Sequence, residues 1–365
     1  MEGFNIEPIE LFDVPPIEFE TPAHFRQYLA TEFRPAEILH NLTIIGGLTE
    51  LDQDGFEEFL EQKGFALARR YGALARIRKP TNDSLFESYV SYERDTIGVI
   101  LFYSNFRKTE ELKLINDFLE SAPQTYRLFL RPLWIDSALR RLLSTYENLR
   151  ILDFTASRSF NSATPARLRS KVGRTVRYWG PDGREVLGEL SGAYGVVPKK
   201  LRVEIPGTST FSIDNTGSFT LFSGEIGILL DIMKSAIESA VAEAVALKKA
   251  HFQLYPVSIP GESYAVAISS PADIALEIKL DYSQALALLE QLEEEEFVPY
   301  NTSAEEGSVF LRSDILDLRT SEVFRLRADE RRLRILPGTP ESVKSLLRFY
   351  EFVLEQLDAR AELVT

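Results

Sequence analysis

An α+β fold, built from antiparallel β-meanders each followed by a helix, is expected for this chain of 365 residues. Two observations point to it. Short runs rich in Val, Ile, Phe and Tyr alternate with turn signals, the pattern of strands joined by hairpins. Each group of such runs ends in a longer stretch with apolar residues at helical spacing. A chain of this length is expected to divide into two or three units, each with its own core.

The first 22 residues contain Glu2, Glu7, Glu10, Asp13, Glu18 and Glu20 and no Lys or Arg. Pro8, Pro15, Pro16 and Pro22 forbid a long helix there. The interleaved Phe4, Ile6, Ile9, Leu11, Phe12, Val14, Ile17 and Phe19 are too apolar to leave in water, so an acidic arm packed on the body is expected over 1–22. Leu42-Thr43-Ile44-Ile45 opens the first ordered unit as a strand. Asp52 or Asp54 caps a helix through Phe56, Phe59 and Leu60. Residues 73–79, 86–92 and 97–103 read as strands, and Thr109 opens a helix with Leu112, Ile115, Phe118 and Leu119 on its apolar stripe.

In the middle of the chain, strands at 201–205, 210–213 and 219–222 are joined in part by Asp214-Asn215-Thr216-Gly217, a hairpin signal. A long helix follows over about 225–249. Near the C-terminus a strand is expected at 275–280, then a helix capped by Ser283, then strands at 309–311, 323–327 and 332–336. Thr339-Pro340-Glu341 has the cap, the proline and the acid of a helix start. The expected units are therefore the arm at 1–22 and α+β units at 23–122, 123–250 and 251–365.

The strand–helix–strands–helix order over 42–120 and 275–358 resembles that of TATA-binding-protein-like and related helix-grip folds. With the middle meander it suggests an internal repeat of architecture, which no residue identity accompanies. The resemblance implies a shape and no function.

Several chemistries are poorly supplied. With no cysteine there can be no disulfide, thiolate metal site or cysteine nucleophile. His24, His40 and His251 are the only histidines, too far apart in sequence to share a helical turn. No phosphate-binding glycine loop and no Gly-x-Ser-x-Gly elbow occurs, and no cofactor is called for. Glu277-Ile278-Lys279, on the strand expected at 275–280 and flanked by Asp273 and Asp281, could form the core of a metal-dependent nuclease. The longest apolar run, 97–103, is far too short to span a bilayer, and the N-terminus lacks a secretory pattern. A cytoplasmic protein with no membrane partner is expected.

Charge placement provides the functional signal. The net charge of −14 opposes indiscriminate nucleic-acid coating. Yet 157–180 holds Arg158, Arg167, Arg169, Lys171, Arg174 and Arg177, with no acid until Asp182, and closes on Tyr178-Trp179. Guanidinium forks and aromatic rings are the groups that hold a phosphodiester backbone and its bases. Arginines on strands, Arg76 with Arg78, Arg325 with Arg327 and Arg332 with Arg334, could extend such a face, or pair across the sheet with acids such as Glu322, Asp329 and Glu330. Arg127 and Arg131 flank Phe129 in a further such run. These residues lead to the expectation of a non-enzymatic, regulatory nucleic-acid-binding protein, whose acidic arm could cover the basic face. The alternatives are a scaffold subunit that meets an acidic protein partner, and the nuclease.

Overall fold

The computed structural model describes residues 11–33, 41–81, 85–105, 109–122, 124–158, 174–259, 262–305, 311–338 and 343–364. Its first region is a strand–helix–meander. Strand β1 (Leu42–Thr49) leads to helix α2 (Gln53–Gln62), which follows α1 (Pro22–Glu32) in the chain. Asp52 caps α2, its carboxylate accepting from Gly55 N at 2.9 Å. Strands β2 (Ala66–Tyr71), β3 (Leu74–Pro80), β4 (Leu85–Arg94) and β5 (Gly98–Ser104) follow, then α3 (Thr109–Glu120).

The middle region is β6 (Thr125–Arg127), α4 (Pro132–Thr145), β7 (Arg150–Arg158), β8 (Arg174–Trp179), α5 (Gly183–Tyr194), β9 (Val197–Ile205), β10 (Ser209–Asp214), β11 (Ser218–Gly224) and α6 (Gly227–Lys248). The β10–β11 turn forms as its residues require. Asp214 Oδ1 accepts from Thr216 N and Oγ1, and Gly217 takes a φ of 74°. A separate two-stranded hairpin, β12 (Phe252–Ile259) and β13 (Glu262–Ser269), precedes the C-terminal region. That region is β14 (Ala272–Ala275), α7 (Tyr282–Glu294), β15 (Phe297–Ala304), β16 (Leu311–Asp317), β17 (Glu322–Ala328), β18 (Arg332–Pro337), α8 (Lys344–Phe352), a π-helical turn at Val353–Leu357 and β19 (Glu362–Val364).

The α+β class is as expected. The boundary expected between 122 and 123 falls inside one 11-stranded sheet, ordered β2-β3-β4-β5-β1-β11-β10-β9-β7-β8 with β6 also on β1. The join is the antiparallel β1–β11 ladder, from Leu42↔Leu221 to Ile45↔Ser218. The C-terminal sheet has the order β15-β16-β17-β18-β14-β19. Its β14-α7-β15-β16-β17-β18-α8 path has the same connectivity and strand order as β1-α2-β2-β3-β4-β5-α3. The middle region has a different path.

Burial on the large sheet is asymmetric. One face is continuous: Ile44, Tyr103, Phe154, Val203, Phe211 and Phe219 pack with α1, α4 and α6 in a single core. The opposite face is covered only on the β1–β5 half, where Ile45, Ile77, Ile100 and Phe102 meet Phe56, Leu60, Ile115 and Phe118 of α2 and α3. Strand β1 is therefore buried along its whole length, whereas β9 and β11 bury alternate residues; on β10 the small Ser212 is buried as well.

The arm is in the first core. Leu11, Phe12, Val14 and Phe19 are buried, Tyr89 Oη donates to Phe12 O at 3.0 Å, and Phe19 bridges to Gly72. The described part thus lies beside β3 and β4, at the opposite end of the sheet from β8, and does not cover it. Three local expectations change. The 275–280 segment leaves the ladder after Ala275, because the Asp358 carboxylate takes the Glu277 N–H at 2.8 Å. Asp281, not Ser283, caps α7 through a capping box with Gln284, and Ser283 donates to Asp281 at 2.7 Å. The last meander starts at β15, ahead of the expected 309–311 strand. Of that strand only residue 311 is described; the Thr339-Pro340-Glu341 start lies outside the described residues.

Candidate functional site

The basic segment splits between a described hairpin and residues outside the description. Arg167, Arg169 and Lys171 fall outside the described residues. Arg158 is not a surface residue: it is 3% exposed and donates to Tyr194 O at 2.7 Å, tying β7 to the C-terminal end of α5. Arg174 opens β8 opposite Arg158. Arg177 is exposed, and it has no charge partner among the described residues.

Tyr178 and Trp179 do not form a stacking pair, because neighbours on a strand point to opposite faces. Tyr178 stacks on Phe154 with ring centroids 5.2 Å apart, on the core side. Its hydroxyl donates to Asp182, whose carboxylate raises the tyrosine pKa. Trp179 faces the other way and is 87% exposed.

Register extends the Trp179 side into a surface. Thr155 stands opposite Arg177 and Asp153 opposite Trp179. Lys200 and Arg202 continue this row on β9, and Ser212 and Thr220 on β10 and β11. No described apolar helix residue covers this half, since the second core stops at β1. Its charges are loosely paired: Arg202–Asp153 at 3.9 Å and Lys200–Asp214 at 3.7 Å. The Arg202 guanidinium lies 4.0 Å above the Phe222 ring. The result is an open sheet face with one exposed tryptophan, a second aromatic ring and three cations.

The other strand arginines expected to extend a basic face are neutralised within the fold, except Arg327, which has no ion pair among the described residues and whose Nε makes no hydrogen bond. Arg76 donates to Glu87 at 2.9 Å and Arg78 pairs with the same carboxylate. Arg325 pairs with Asp314 at 2.7 Å, Arg334 with Asp273 at 2.7 Å and Arg332 with Asp273 at 3.4 Å. These arginines hold Glu87, Asp314 and Asp273 below the usual carboxylate range. The cross-sheet partners are thus Glu87, Asp314 and Asp273 rather than Glu322, Asp329 and Glu330. Arg127 pairs with Glu120 at 2.9 Å and Arg131 with Glu243 at 3.5 Å. Glu277 and Lys279 are separately engaged, by Arg360 at 2.9 Å and Glu330 at 2.7 Å. No group of three metal-ligating side chains occurs among the described residues.

A second feature was illegible in the sequence. A cavity of about 110 Å³ lies where α3 and β6 meet the C-terminal region. Its walls include Tyr126, Arg127 and Glu120 on one side and Arg348, Glu351 and Phe352 on the other. Lys344 seals one edge: its ammonium is 2.6 Å from Glu120 O and 2.5 Å from Ala122 O, at the negative end of α3. Burial lowers its pKa to about 8. Arg348 pairs with the fully buried Asp317 and rests 4.8 Å above the Phe297 ring. Burial pushes the Glu351 carboxyl up to about 7, against the pull of Arg127. Glu243, buried beside Arg131, is also pushed up to about 7.

No described helix is long and apolar enough to cross a membrane. Residues 135–216, which run from α4 through β7, β8 and β9 to the β10–β11 turn, match the AF_0896_M family middle domain. The whole chain is similar to an uncharacterized protein of Archaeoglobus fulgidus, 22% identical over 358 residues, covering 94% of this chain and 96% of that one.

Proposed function

We propose that the protein binds single-stranded nucleic acid on the uncovered half of its large sheet. The supporting observation is Trp179, 87% exposed on the same face as Arg177, Lys200, Arg202 and Phe222. An exposed ring on a flat sheet, flanked by guanidinium groups, suits an unpaired base and its phosphates. A duplex hides its bases and would use only the cations. Arg167, Arg169 and Lys171 fall in the sequence between β7 and β8, outside the described residues.

The test is fluorescence anisotropy with labelled single-stranded RNA and DNA and with duplexes, across a salt series. Three face cations predict a log K against log salt slope of about −2, at roughly 0.7 per phosphate contacted. Trp179→Ala should weaken binding by about 1–3 kcal/mol, the range for one stacked base. Tight duplex binding with a Trp179→Ala variant equal to wild type would overturn the proposal. So would no binding at low salt, which would turn attention to an acidic protein partner.

A further inference from the structure

The cavity beside α8 is a built polar site that the nucleic-acid reading does not use. Two of its groups have no partner. Tyr126 is 4% exposed, lines the cavity, and its hydroxyl makes no hydrogen bond. Glu351 lines the same cavity and has neither hydrogen-bond nor ion-pair partner among the described residues. A buried hydroxyl left without a partner is costly unless something occupies the space it faces.

The remaining charges say which occupant fits. Each cation on the wall is already engaged. Arg127 is held by Glu120 at 2.9 Å, Arg348 by Asp317 and by Glu295 O at 3.2 Å, and Arg319 by Glu296. Lys344 points its ammonium at two main-chain carbonyls. An anion would have to displace a carboxylate from one of these partners. A cation would find the Glu351 carboxylate and the Tyr126 hydroxyl oxygen uncommitted, in a cavity that the Phe352 ring also lines. The cavity already holds one guanidinium against an aromatic ring, that of Arg348 over Phe297 at 4.8 Å. Its volume of about 110 Å³ is somewhat below the 150 Å³ known to hold benzene, so the ligand has about four to six heavy atoms.

We propose that this cavity binds a small organic cation, an ammonium or guanidinium group, with Glu351 as its counter-ion and Tyr126 as its second hydrogen-bond partner. The π-helical turn at Val353–Leu357, which starts two residues after Glu351, is the kind of irregularity that often accompanies functional sites in helices. It alters the spacing between Glu351 and Glu355, and Glu355 is turned to Lys199 at 3.1 Å and Asn215 at 2.6 Å. Of the lining acids without an ion pair, Glu295 is exposed to solvent, and Glu351 is the more sheltered one.

Isothermal titration of the full-length protein with methylguanidinium and propylammonium tests this, with acetate as the anionic control at matched ionic strength. Saturable binding of at least one cation is expected at about pH 8. Glu351→Gln should weaken it at least tenfold, and Tyr126→Phe severalfold. The groups that act on Glu351 are Arg127 from β6, Glu120 from the end of α3, and Arg348 and Glu355 from its own helix and turn. With the Glu351 carboxyl pushed up to about 7, affinity should fall about thirtyfold between about pH 8 and about pH 5.5, as its ionised fraction falls. The heat of binding near neutrality should depend on the buffer, because the cation expels a proton from Glu351. Absence of saturable cation binding, tighter binding of acetate, or unchanged affinity in Glu351→Gln would each overturn the proposal. None of these outcomes bears on the open sheet face.

Discussion

Replacing Glu351 with Gln should stabilise the protein above neutrality and change little in acid. Burial raises this carboxyl from 4.5 to about 7. Between those values the folded protein keeps a proton that the unfolded chain has lost, so stability falls as pH rises through the window. A shift of about 2.5 units at about 1.4 kcal/mol each gives an upper limit of about 3 kcal/mol by pH 8. The amide avoids that charge but leaves polar atoms to satisfy, which costs about 1 kcal/mol. A net gain of about 2 kcal/mol at about pH 8 is therefore expected, and about zero or a small loss at about pH 5. Urea unfolding of both proteins at the two pH values, with the slope held common, measures the difference. Lys344 should add the opposite trend at higher pH: its pKa, lowered to about 8 from 10.5, makes stability rise as pH climbs between those values. An equal effect of Glu351→Gln at both pH values, or destabilisation at pH 8, would refute the argument that a desolvated charge is present.

Two further stability tests address the frame around the site. Asp317 is fully buried against Arg348, so Asp317→Ala should lose about 3–5 kcal/mol by stranding the guanidinium, and Arg348→Met in that background should recover part of it; thermal unfolding of the three variants decides. Gly217→Ala should destabilise by more than about 1 kcal/mol, since a Cβ there would sit 2.3 Å from Leu128 O at a φ of 74°; a change in the urea unfolding free energy smaller than about 0.5 kcal/mol would contradict the turn geometry.

Much of the local structure was legible from neighbouring residues. Asp52 three residues before Gly55 marks a helix start, Asp214-Asn215-Thr216-Gly217 closes its own turn, and the alternation of 323–327 gives strand β17. Each rests on bonds or faces set within a few positions. The same local rule separates Tyr178 from Trp179, since adjacent strand residues face opposite ways. The strand expected at 275–280 failed because its competitor, Asp358, lies 81 residues from Glu277.

The candidate surfaces belong to the tertiary structure. Arg158 looks basic in a run of basic residues, yet the fold buries it against Tyr194, and Arg76 is neutralised by Glu87 on the next strand. The open face exists because α2 and α3 cover only the β1–β5 half of a sheet that continues through β11. The cavity joins Tyr126 and Arg127 to Arg348 and Glu351, segments more than 200 residues apart. Composition sets which residues can be buried, and spacing sets which face of an element they share. Which faces then meet depends on strand register and helix docking between distant segments, and those contacts leave no mark on the sequence around either partner.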